Sequence, residues 1–505
     1  MSTKPYSELR EKLLEIAHLD SVGHLAEWDQ NVSLSEEHKG HKARAGMMGY
    51  VAGLKHKMFT GKEFEDVLMR AVEDARGGKL TEDEKFIVLK TLSDLEKEKK
   101  LPTEFVAESE KLYAEAHQPW EVAREKSDFS IFEPYLVKIV AAKRREAKFR
   151  GYRKSPYDAL LDRYEPGLTT EYVTAVFDEL KAFLVPFIDD IRSSKVKIQR
   201  DFLYGSYPLN KQLAFAKMVI REIGFDLSKG RVDTSTHPFC TNFHPTDVRI
   251  TTRFDKYDFF NQAFFSLIHE AGHGIYEQAL PEEYFGTPLG EYVSMGIHEA
   301  NSRFWENFIG RSLLFWVYFY PKLQRAFPGQ LQGVSLEDFY RAINYVEPGF
   351  IRVDADEVTY NLHVAVRIEI EPYLIDGSLK VKEVPHVWNE KMEDYLGLKV
   401  KKDADGALQD CHWSGGDLGY FGTYGLGNIN GGQLHWAASE QIYDFERQVS
   451  EGNFASLREW LRTNIHQHGR RYTPEELIVR ATGDKPLPVY LIKYLEDKYS
   501  EIYNL

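Results

Sequence analysis

The sequence predicts a mainly α-helical protein with one small β element, on three observations. From Thr81 to about Arg150, apolar side chains recur every three or four residues among dense Lys and Glu, which is typical of packed amphipathic helices. Helix-start signals recur as well, since Thr81 is followed three residues later by Glu84, as in a capping box. Between Arg231 and Phe254, β-branched residues alternate with other residues, which predicts a short hairpin or small sheet.

The predicted elements follow one another without an obvious domain boundary. Residues 1–230 predict successive helices, punctuated by prolines at positions 102, 119, 134 and 166. Helices resume at about Tyr257, and a long functional loop is expected from Gly406 to Gly432, which is rich in Gly, Asn and aromatic residues. No repeat or low-complexity linker divides the chain. We therefore expect a single interwoven domain, 1–505, made of a helical N-terminal region (1–230), a motif-bearing region (231–435) and a helical C-terminal region (436–505).

The composition excludes several classes of protein. The chain has 505 residues, and 64 Lys and Arg against 78 Asp and Glu give a formal net charge of −14. Binding to nucleic acid or to an anionic membrane needs a basic surface, so we expect neither partner. The longest strongly apolar run, Leu313–Tyr320, is much shorter than the roughly 20 residues that span a bilayer. Two cysteines and a charged start without an apolar signal core favour a reducing cytoplasm.

The sharpest motif is His269-Glu270-Ala-Gly-His273, which follows an apolar helical run. On a helix, His269 and His273 lie one turn apart on the same face, so both imidazoles can reach one cation. Glu270 then lies beside the cation, where a carboxylate can hold a metal-bound water and take its proton. The motif therefore predicts a catalytic metal site with Glu270 as general base.

Two imidazoles do not complete a catalytic site, and a third protein ligand is expected. The third histidine of the metzincin motif is absent, so a carboxylate is needed. Glu277 lies one turn beyond His273, and three ligands in a row along one helix cannot surround a metal. Glu299 falls on the buried side of the next predicted helix, and we expect it to be the third ligand.

Beyond the metal motif, the chain resembles the M32 metallocarboxypeptidases, the Taq-type thermostable carboxypeptidases of bacteria and archaea. Six motifs characteristic of that family occur in one order across residues 237–413. They are His237-Pro238-Phe239, Asp247-Val-Arg249-Ile-Thr251, the His269–His273 motif, His298-Glu299, Ile351-Arg352-Val-Asp-Ala355-Asp356 and Gly406-Ala-Leu-Gln409-Asp410-Cys-His412-Trp413. The one departure is Ala300, where the family usually has Ser, and it lies beside a ligand position.

The resemblance implies a fold, an activity and a state of assembly. The fold is a mainly helical, two-lobed body with a deep central groove, related to neurolysin and angiotensin-converting enzyme. The activity is the metal-dependent release of C-terminal amino acids from peptides with a free C-terminus, with broad specificity. One divalent metal per chain is implied, zinc first and cobalt as the alternative. Family members are usually homodimers.

The resemblance also assigns roles to individual side chains. Arg352 is expected to bind the terminal carboxylate of the substrate, because a guanidinium pairs with a carboxylate through two hydrogen bonds. Asp354 and Asp356 are candidates to orient Arg352 or to tie helices together. Asp247 and Arg249 are expected to form a structural ion pair that holds the small sheet against the helix of His269 and His273.

The oxyanion of the transition state needs a donor opposite the metal. By resemblance to the related helical peptidases, Tyr420 is the expected donor, assisted by His412 and Tyr424 on a glycine-rich loop. His237 is expected to line the substrate site. Three alternatives remain open at this point: a metalloendopeptidase or oligopeptidase, a non-catalytic scaffold with a structural zinc, and another metal hydrolase on a helical scaffold.

Overall fold

Twenty α-helices and one three-stranded sheet form most of the computed structural model, which describes residues 2–34 and 39–505. The helices are α1 (Lys4–Ser33), α2 (His41–Thr60), α3 (Lys62–Arg76), α4 (Glu82–Glu98), α5 (Thr103–Lys126), α6 (Phe129–Arg150), α7 (Asp158–Tyr164), α8 (Thr170–Ser193), α9 (Leu209–Ile223), α10 (Ser266–Gln278), α11 (Met295–Arg303), α12 (Leu313–Ala326), α13 (Leu336–Ile343), α14 (Tyr360–Asp376), α15 (Val384–Leu396), α16 (Phe421–Gln441), α17 (Phe445–Ser450), α18 (Ala455–Asn464), α19 (Pro474–Thr482) and α20 (Val489–Tyr503). The strands are β1 (Gly230–Thr234), β2 (Cys240–His244) and β3 (Asp247–Thr252). The π-helical segments Phe260–Phe265 and Phe304–Ile309 adjoin α10 and α11, and a 3₁₀ turn spans Arg352–Asp354. The mainly α prediction with a small β element is confirmed.

Local sequence signals explain several helix boundaries. Thr81 and Glu84 form the predicted capping box: the Glu84 amide donates to Thr81 Oγ1 at 3.3 Å, and the Thr81 amide donates to Glu84 Oε2 at 2.9 Å. The expectation that prolines end helices is wrong at two positions, because Pro119 lies inside α5 and Pro134 inside α6. Each proline removes one helical hydrogen bond, and the burial of neighbours such as Trp120 outweighs that loss.

The three strands form a sheet in the order β1-β3-β2, as the alternation predicted. β1 runs parallel to β3, and β2 runs antiparallel to it. One face of β3 packs on α10, where Ile250 Cγ2 lies 3.3 Å from the position of a Cβ on Gly274. Arg249 lies on the other face, 4.3 Å from the ring centroid of Trp28 in α1. The predicted ion pair with Asp247 forms at 3.1 Å, but it faces α1 and not α10.

Helix α16 passes between the two largest clusters of buried apolar side chains. Leu426 and Ile429 belong to a cluster built mainly from α5–α8, α14, α15 and α20. Leu434 and Ala437 belong to a second cluster, built mainly from α9–α13, the sheet and α17–α19. A smaller third cluster joins α1, α3 and α4. The first half of α16 therefore packs against α11, the helix of Glu299, where the two large clusters adjoin.

The prediction of a loop from Gly406 to Gly432 is wrong in its second half, which is the start of α16. The glycines there serve close packing. A Cβ on Gly425 would fall 2.1 Å from the ring of Phe177, and a Cβ on Gly427 would fall 2.3 Å from Glu299 Cγ. Burial on nearly all sides outweighs the low intrinsic helix propensity of glycine.

Within residues 2–34 and 39–505, no helix is both long enough and apolar enough to cross a membrane.

Candidate metal centre

Two neighbouring helices bring the three predicted metal ligands together. His269 and His273 lie one turn apart on α10, and Glu299 lies on α11. Their ligand atoms all lie within 4.8 Å of one another. Glu299 Oε2 lies 3.4 Å from His269 Nε2 and 3.5 Å from His273 Nε2. Bonds of about 2.0–2.1 Å in a tetrahedral site place two ligand atoms about 3.3 Å apart, so this donor set fits a zinc-like divalent cation.

Glycines allow the helices to approach closely enough for this arrangement. A Cβ on Gly272 of α10 would fall 2.7 Å from the Cα of Ser302 on α11. On the opposite side of α11, Gly427 of α16 leaves room for the side chain of Glu299. Because real Cβ atoms do not approach other atoms this closely, α11 depends on a glycine on each of its neighbours.

Two further side chains, which the sequence analysis did not identify, support the ligands. Glu306 Oε2 lies 2.9 Å from His269 Nδ1, so a proton on Nδ1 leaves Nε2 free to bind a cation. Arg303 donates from Nε to Glu299 Oε1 at 2.7 Å and from Nη1 to Glu306 Oε2 at 3.2 Å. Arg303 and Glu306 lie four and seven residues after Glu299, which places both side chains on the same face of the helix as Glu299. This spacing could have identified them from the sequence.

The pKa values of Glu306 and Glu270 differ because the two carboxyl groups have different charged neighbours. Burial acts to raise the pKa of Glu306, yet Arg303 and His269 hold that pKa at about 2, so Glu306 stays ionised. Burial raises the pKa of Glu270 to about 7, with His269 opposing the shift and Glu299 adding to it. Glu270 is thus a buried carboxyl group on the ligand helix that can exchange a proton near neutral pH.

His298 and Glu277 occupy the side of the site next to His273. The His298 ring stacks on the His273 ring with centroids 4.4 Å apart, and His298 Nε2 lies 2.8 Å from Glu277 Oε1. Glu277 also accepts a hydrogen bond from Asn242 of β2. Both carboxylate oxygens of Glu277 are therefore engaged outside the ligand set.

Arg352 belongs to a buried cluster of three charges. Arg352 donates from Nε and Nη2 to Asp410 Oδ1 at 3.1 and 2.9 Å, and from Nη1 to the Tyr360 hydroxyl at 3.1 Å. Arg367 donates from Nε to the other oxygen, Asp410 Oδ2, at 2.8 Å. All three charged groups are buried or nearly so. Two guanidinium groups around one carboxylate leave this cluster with a net positive charge.

The expected role of Asp354 and Asp356 in orienting Arg352 is wrong, because Asp410 holds that guanidinium. Asp354 is exposed. Asp356 instead accepts from the amide of Thr359, in the turn before α14, at 2.9 Å and from the amide of Glu347 at 3.0 Å. It therefore ties the segment of Glu347 to the turn before α14, and neither of these is helical, so the expectation that it ties helices together is not met either.

His412, Tyr420 and Tyr424 form an aromatic cluster beside Arg352. The His412 and Tyr420 rings stack with centroids 5.5 Å apart, and His412 Nε2 lies 3.4 Å from the Tyr424 hydroxyl. The Arg352 guanidinium lies 4.9 Å from the centroid of Tyr424. His412 and Tyr420 lie at the two ends of the loop that precedes α16, and Tyr424 is in the first turn of that helix.

Burial keeps this cluster uncharged. It lowers the pKa of His412 to about 4 and raises the pKa of Tyr420 to about 12. Burial also raises the pKa of Tyr424 well above its ordinary value. The charge of Glu299 contributes to the shift of both tyrosines, so the cluster lies within electrostatic reach of the ligand set. Both hydroxyls remain protonated near neutral pH and can donate hydrogen bonds.

His237 differs from the other eight predicted site residues in being exposed. It lies in the turn between β1 and β2, where its carbonyl accepts a hydrogen bond from the Ser235 hydroxyl at 2.6 Å.

A cavity of about 500 Å³ lies next to the loop that carries His412. Its lining includes Tyr113, Arg163 and Glu291. A Cβ on Gly416 of the loop would fall 2.5 Å from the ring of Tyr113, so that ring separates the loop from the cavity. None of the three metal ligands lines this cavity.

Comparison with known proteins gives one consistent result over nearly the whole chain. The family model described as carboxypeptidase Taq (M32) metallopeptidase matches residues 8–499. Carboxypeptidase 1 of Bacillus subtilis is 40% identical over 501 residues, covering 99% of this chain and 98% of that protein. Thermostable carboxypeptidase 1 of Thermus thermophilus is 40% identical over 519 residues, covering 99% of both.

Solved structures agree with this similarity. The M32 carboxypeptidase from Deinococcus radiodurans R1 superposes with a TM-score of 0.96 at 38% identity, covering 100% of both chains. Metallocarboxypeptidase 1 of Trypanosoma cruzi superposes with a TM-score of 0.93 at 35% identity, covering 99% of this chain and 100% of that one.

Proposed function

Because the chain belongs to the carboxypeptidase Taq (M32) metallopeptidase family and is a metallocarboxypeptidase, we propose that it releases C-terminal residues from free-acid peptides with Glu270 as general base. The observation that carries this proposal is the position of Glu270, a buried carboxyl group on the helix that also presents His269 and His273. His269, His273 and Glu299 would hold a divalent metal, with zinc the proposed occupant and cobalt the alternative. When bound, that metal would supply polarisation of the scissile carbonyl and a lower pKa of its bound water.

Glu270 provides the proton transfers. Its pKa of about 7, which burial raises, lets the carboxylate take a proton from the attacking water at neutral pH and return it to the departing amine. Arg303 and Glu306 hold Glu299 and His269 in place by the hydrogen bonds described above. These contacts restrain the orientation of the two ligand side chains.

Arg352 is proposed to bind the terminal carboxylate of the substrate. Asp410 and Tyr360 use three of its five N–H groups, which leaves two for a further anion. The net positive charge of the Arg352–Asp410–Arg367 cluster is costly in a buried place, and a bound carboxylate neutralises it. Selection for a free C-terminus follows from this charge balance.

Tyr420 is proposed to donate a hydrogen bond to the oxyanion of the transition state. Its pKa of about 12, raised by burial, keeps the hydroxyl protonated while the oxyanion forms. The stacked His412 ring restricts the Tyr420 ring, and Tyr424 contacts both His412 and Arg352. The three side chains thus connect the donor with the carboxylate-binding arginine.

Further features are proposed as well. The resemblance supports broad specificity, a two-lobed body with a deep groove, a homodimer and a substrate-lining role for His237. The low cysteine content supports a cytoplasmic location, and the lack of a low-complexity linker supports a single domain over 1–505.

Digestion of paired synthetic peptides tests the proposed function directly. Each sequence is prepared as the free acid and as the C-terminal amide, and products are followed by mass spectrometry after metal analysis of the purified protein. We expect ladders from the C-terminus of the free acids and rates at least about 100-fold lower for the amides. Equal rates for the two forms, or internal cleavage, would favour the endopeptidase alternative.

A further inference from the structure

Glu371 of α14 is a fully buried carboxyl group that accepts three hydrogen bonds. The indole N–H of Trp413 donates to Oε1 at 2.7 Å. The backbone N–H of Gly419 donates to Oε2 at 2.7 Å, and the hydroxyl of Tyr157 donates to the same oxygen at 2.6 Å. None of the catalytic roles proposed above uses Glu371.

Two of these three donors lie at opposite ends of the loop that leads into α16. Trp413 directly follows His412, and Gly419 directly precedes Tyr420. One carboxyl group therefore connects the two ends of the loop, with Oε1 holding one end and Oε2 the other. The two residues next to these anchor points, His412 and Tyr420, stack on each other with an interplanar angle of 23°.

The middle of the loop is held by contacts that do not involve Glu371, and two of the loop glycines have backbone angles that favour glycine. Asp417 Oδ1 accepts from the Tyr164 hydroxyl at 3.1 Å, and Ser414 Oγ lies 3.3 Å from His117 Nδ1. Gly416 and Gly419 have φ angles of 76° and 98°, which side-chain-bearing residues rarely adopt. Because Gly419 has this backbone freedom, its hydrogen bond to Glu371 restrains the direction in which the chain enters Tyr420.

We propose that Glu371 is a positioning residue for the reaction, which sets the placement of the Tyr420 hydroxyl by joining the two ends of the 412–420 loop. The proposal rests on the proposed role of Tyr420 as transition-state donor. Glu371 contacts the loop through Trp413 and Gly419, and it affects the reaction only through these contacts. Displacement of a donor by about 1 Å costs roughly 100-fold in rate, so a loosened loop lowers kcat.

Glu371→Gln removes one acceptor with almost no change of shape. An amide offers a single acceptor oxygen, and its NH₂ group must face either the Trp413 indole N–H or the Gly419 amide, both of which can only donate. One end of the loop is therefore released whichever way the amide turns. Tyr157→Phe is the matched control, because it removes a hydrogen bond from the same carboxyl group and leaves both loop contacts in place.

The test is a double-mutant cycle in the metal-loaded full-length enzyme, with Glu371→Gln, Tyr420→Phe and the two combined. We expect Glu371→Gln to lower kcat about 10- to 100-fold with KM changed less than about threefold and metal content unchanged. In the Tyr420→Phe background the same substitution should cost less than about threefold, because the group it positions is gone. Tyr157→Phe should keep kcat within about twofold of the wild type.

Three results would overturn the proposal. A Glu371→Gln enzyme with a lower melting temperature and wild-type kcat would show a purely structural carboxyl group. Additive losses in the double variant would show that Glu371 acts independently of Tyr420. A wild-type kcat for Tyr420→Phe would instead refute the proposed donor itself, and a loss of kcat in Glu371→Gln would then need another cause. If Glu371→Gln does not fold, Trp413→Phe releases the Trp413 end of the loop and is tested in the same cycle.

Discussion

Gly427 of α16 packs directly against Glu299 of α11: a Cβ on Gly427 would fall 2.3 Å from Glu299 Cγ and 2.7 Å from Glu299 Cβ. The absence of a side chain at Gly427 thus allows the third predicted ligand to reach the two histidines of α10. A helix that passes between the two large apolar clusters contributes no ligand atom, yet it determines where one of them lies.

Gly427→Ala is expected to displace Glu299 and to weaken metal binding. The methyl group has no free space, and a shift of the ligand by a few tenths of an ångström lowers metal affinity by about 10-fold or more. Competition with a chromophoric chelator measures this affinity. Gly422→Ala on the same helix is the control, because its nearest neighbours would lie at 3.5 Å or beyond, an ordinary contact distance. Equal affinities for the two variants would contradict the packing argument.

Glu270→Gln is expected to lower the rate of peptide hydrolysis strongly while metal is retained. Gln cannot take the proton of the attacking water, and removal of a general base costs about 10²- to 10⁴-fold in kcat. Steady-state kinetics on a free-acid peptide, together with elemental analysis of the same sample, measure both quantities. Glu282→Gln, at an exposed position just beyond α10, should retain wild-type kcat. Substantial activity in Glu270→Gln would refute the proposed base.

Arg352→Met is expected to remove the preference for peptides with a free C-terminus. The substitution leaves Arg367 alone with Asp410, so the buried cluster becomes neutral and no longer favours an anion. We expect kcat/KM for free acids to fall about 100-fold or more, with little change for the amides. Arg341→Met removes only an ion pair with the exposed Glu337 and should leave both values unchanged. A free-acid preference that survives in Arg352→Met would assign carboxylate binding to another group.

Glu306→Gln is expected to lower metal affinity about 10- to 100-fold, the range typical for groups that orient a ligand histidine. The amide can present its NH₂ group to His269 Nδ1, and it loses the charge that attracts the Nδ1 proton and Arg303. Isothermal titration with zinc at one pH gives the affinity. The exposed Glu337 serves as control in Glu337→Gln. Unchanged affinity would mean that Glu306 does not orient His269.

Glu165→Gln is expected to change how stability depends on pH. Glu165 is buried, accepts from the Gly296 amide at 2.9 Å, and has a pKa that burial raises to about 7 from an ordinary value of 4.5. Between these values the folded state keeps a proton that the unfolded state loses, so the free energy of unfolding falls as pH rises, by on the order of 3 kcal/mol in all.

The glutamine variant lacks this titration, so its melting temperature relative to the wild type should rise from pH 5 to pH 8. Thermal unfolding of both proteins at matched pH values and one scan rate measures the difference. A difference that stays constant across this range would show that Glu165 does not titrate there.

The sequence predicts well those features that depend on residues near one another in the chain. The His269–His273 spacing, the Thr81 capping box and the alternating residues of β3 all concern neighbours within a few positions. Local sequence signals give a wrong prediction where tertiary packing opposes them. The glycines of α16 favour a loop by themselves, but a helix forms there because Phe177 and Glu299 pack closely against it. Glycine in a helix costs about 1 kcal/mol per residue, and close packing of a buried helix offsets that cost.

The partners of buried charged groups cannot be predicted from such local signals. Asp410 lies 58 residues from Arg352 and 43 from Arg367, and Glu371 lies 42 residues from Trp413. A charged or polar group withdrawn from water must find a partner on whichever element packs against it, at any distance along the chain. By itself, the sequence determined the helical class, the small sheet and the histidine pair. The tertiary structure decided which groups orient Arg352, His269 and the 412–420 loop, because only packing determines which polar groups are excluded from water together.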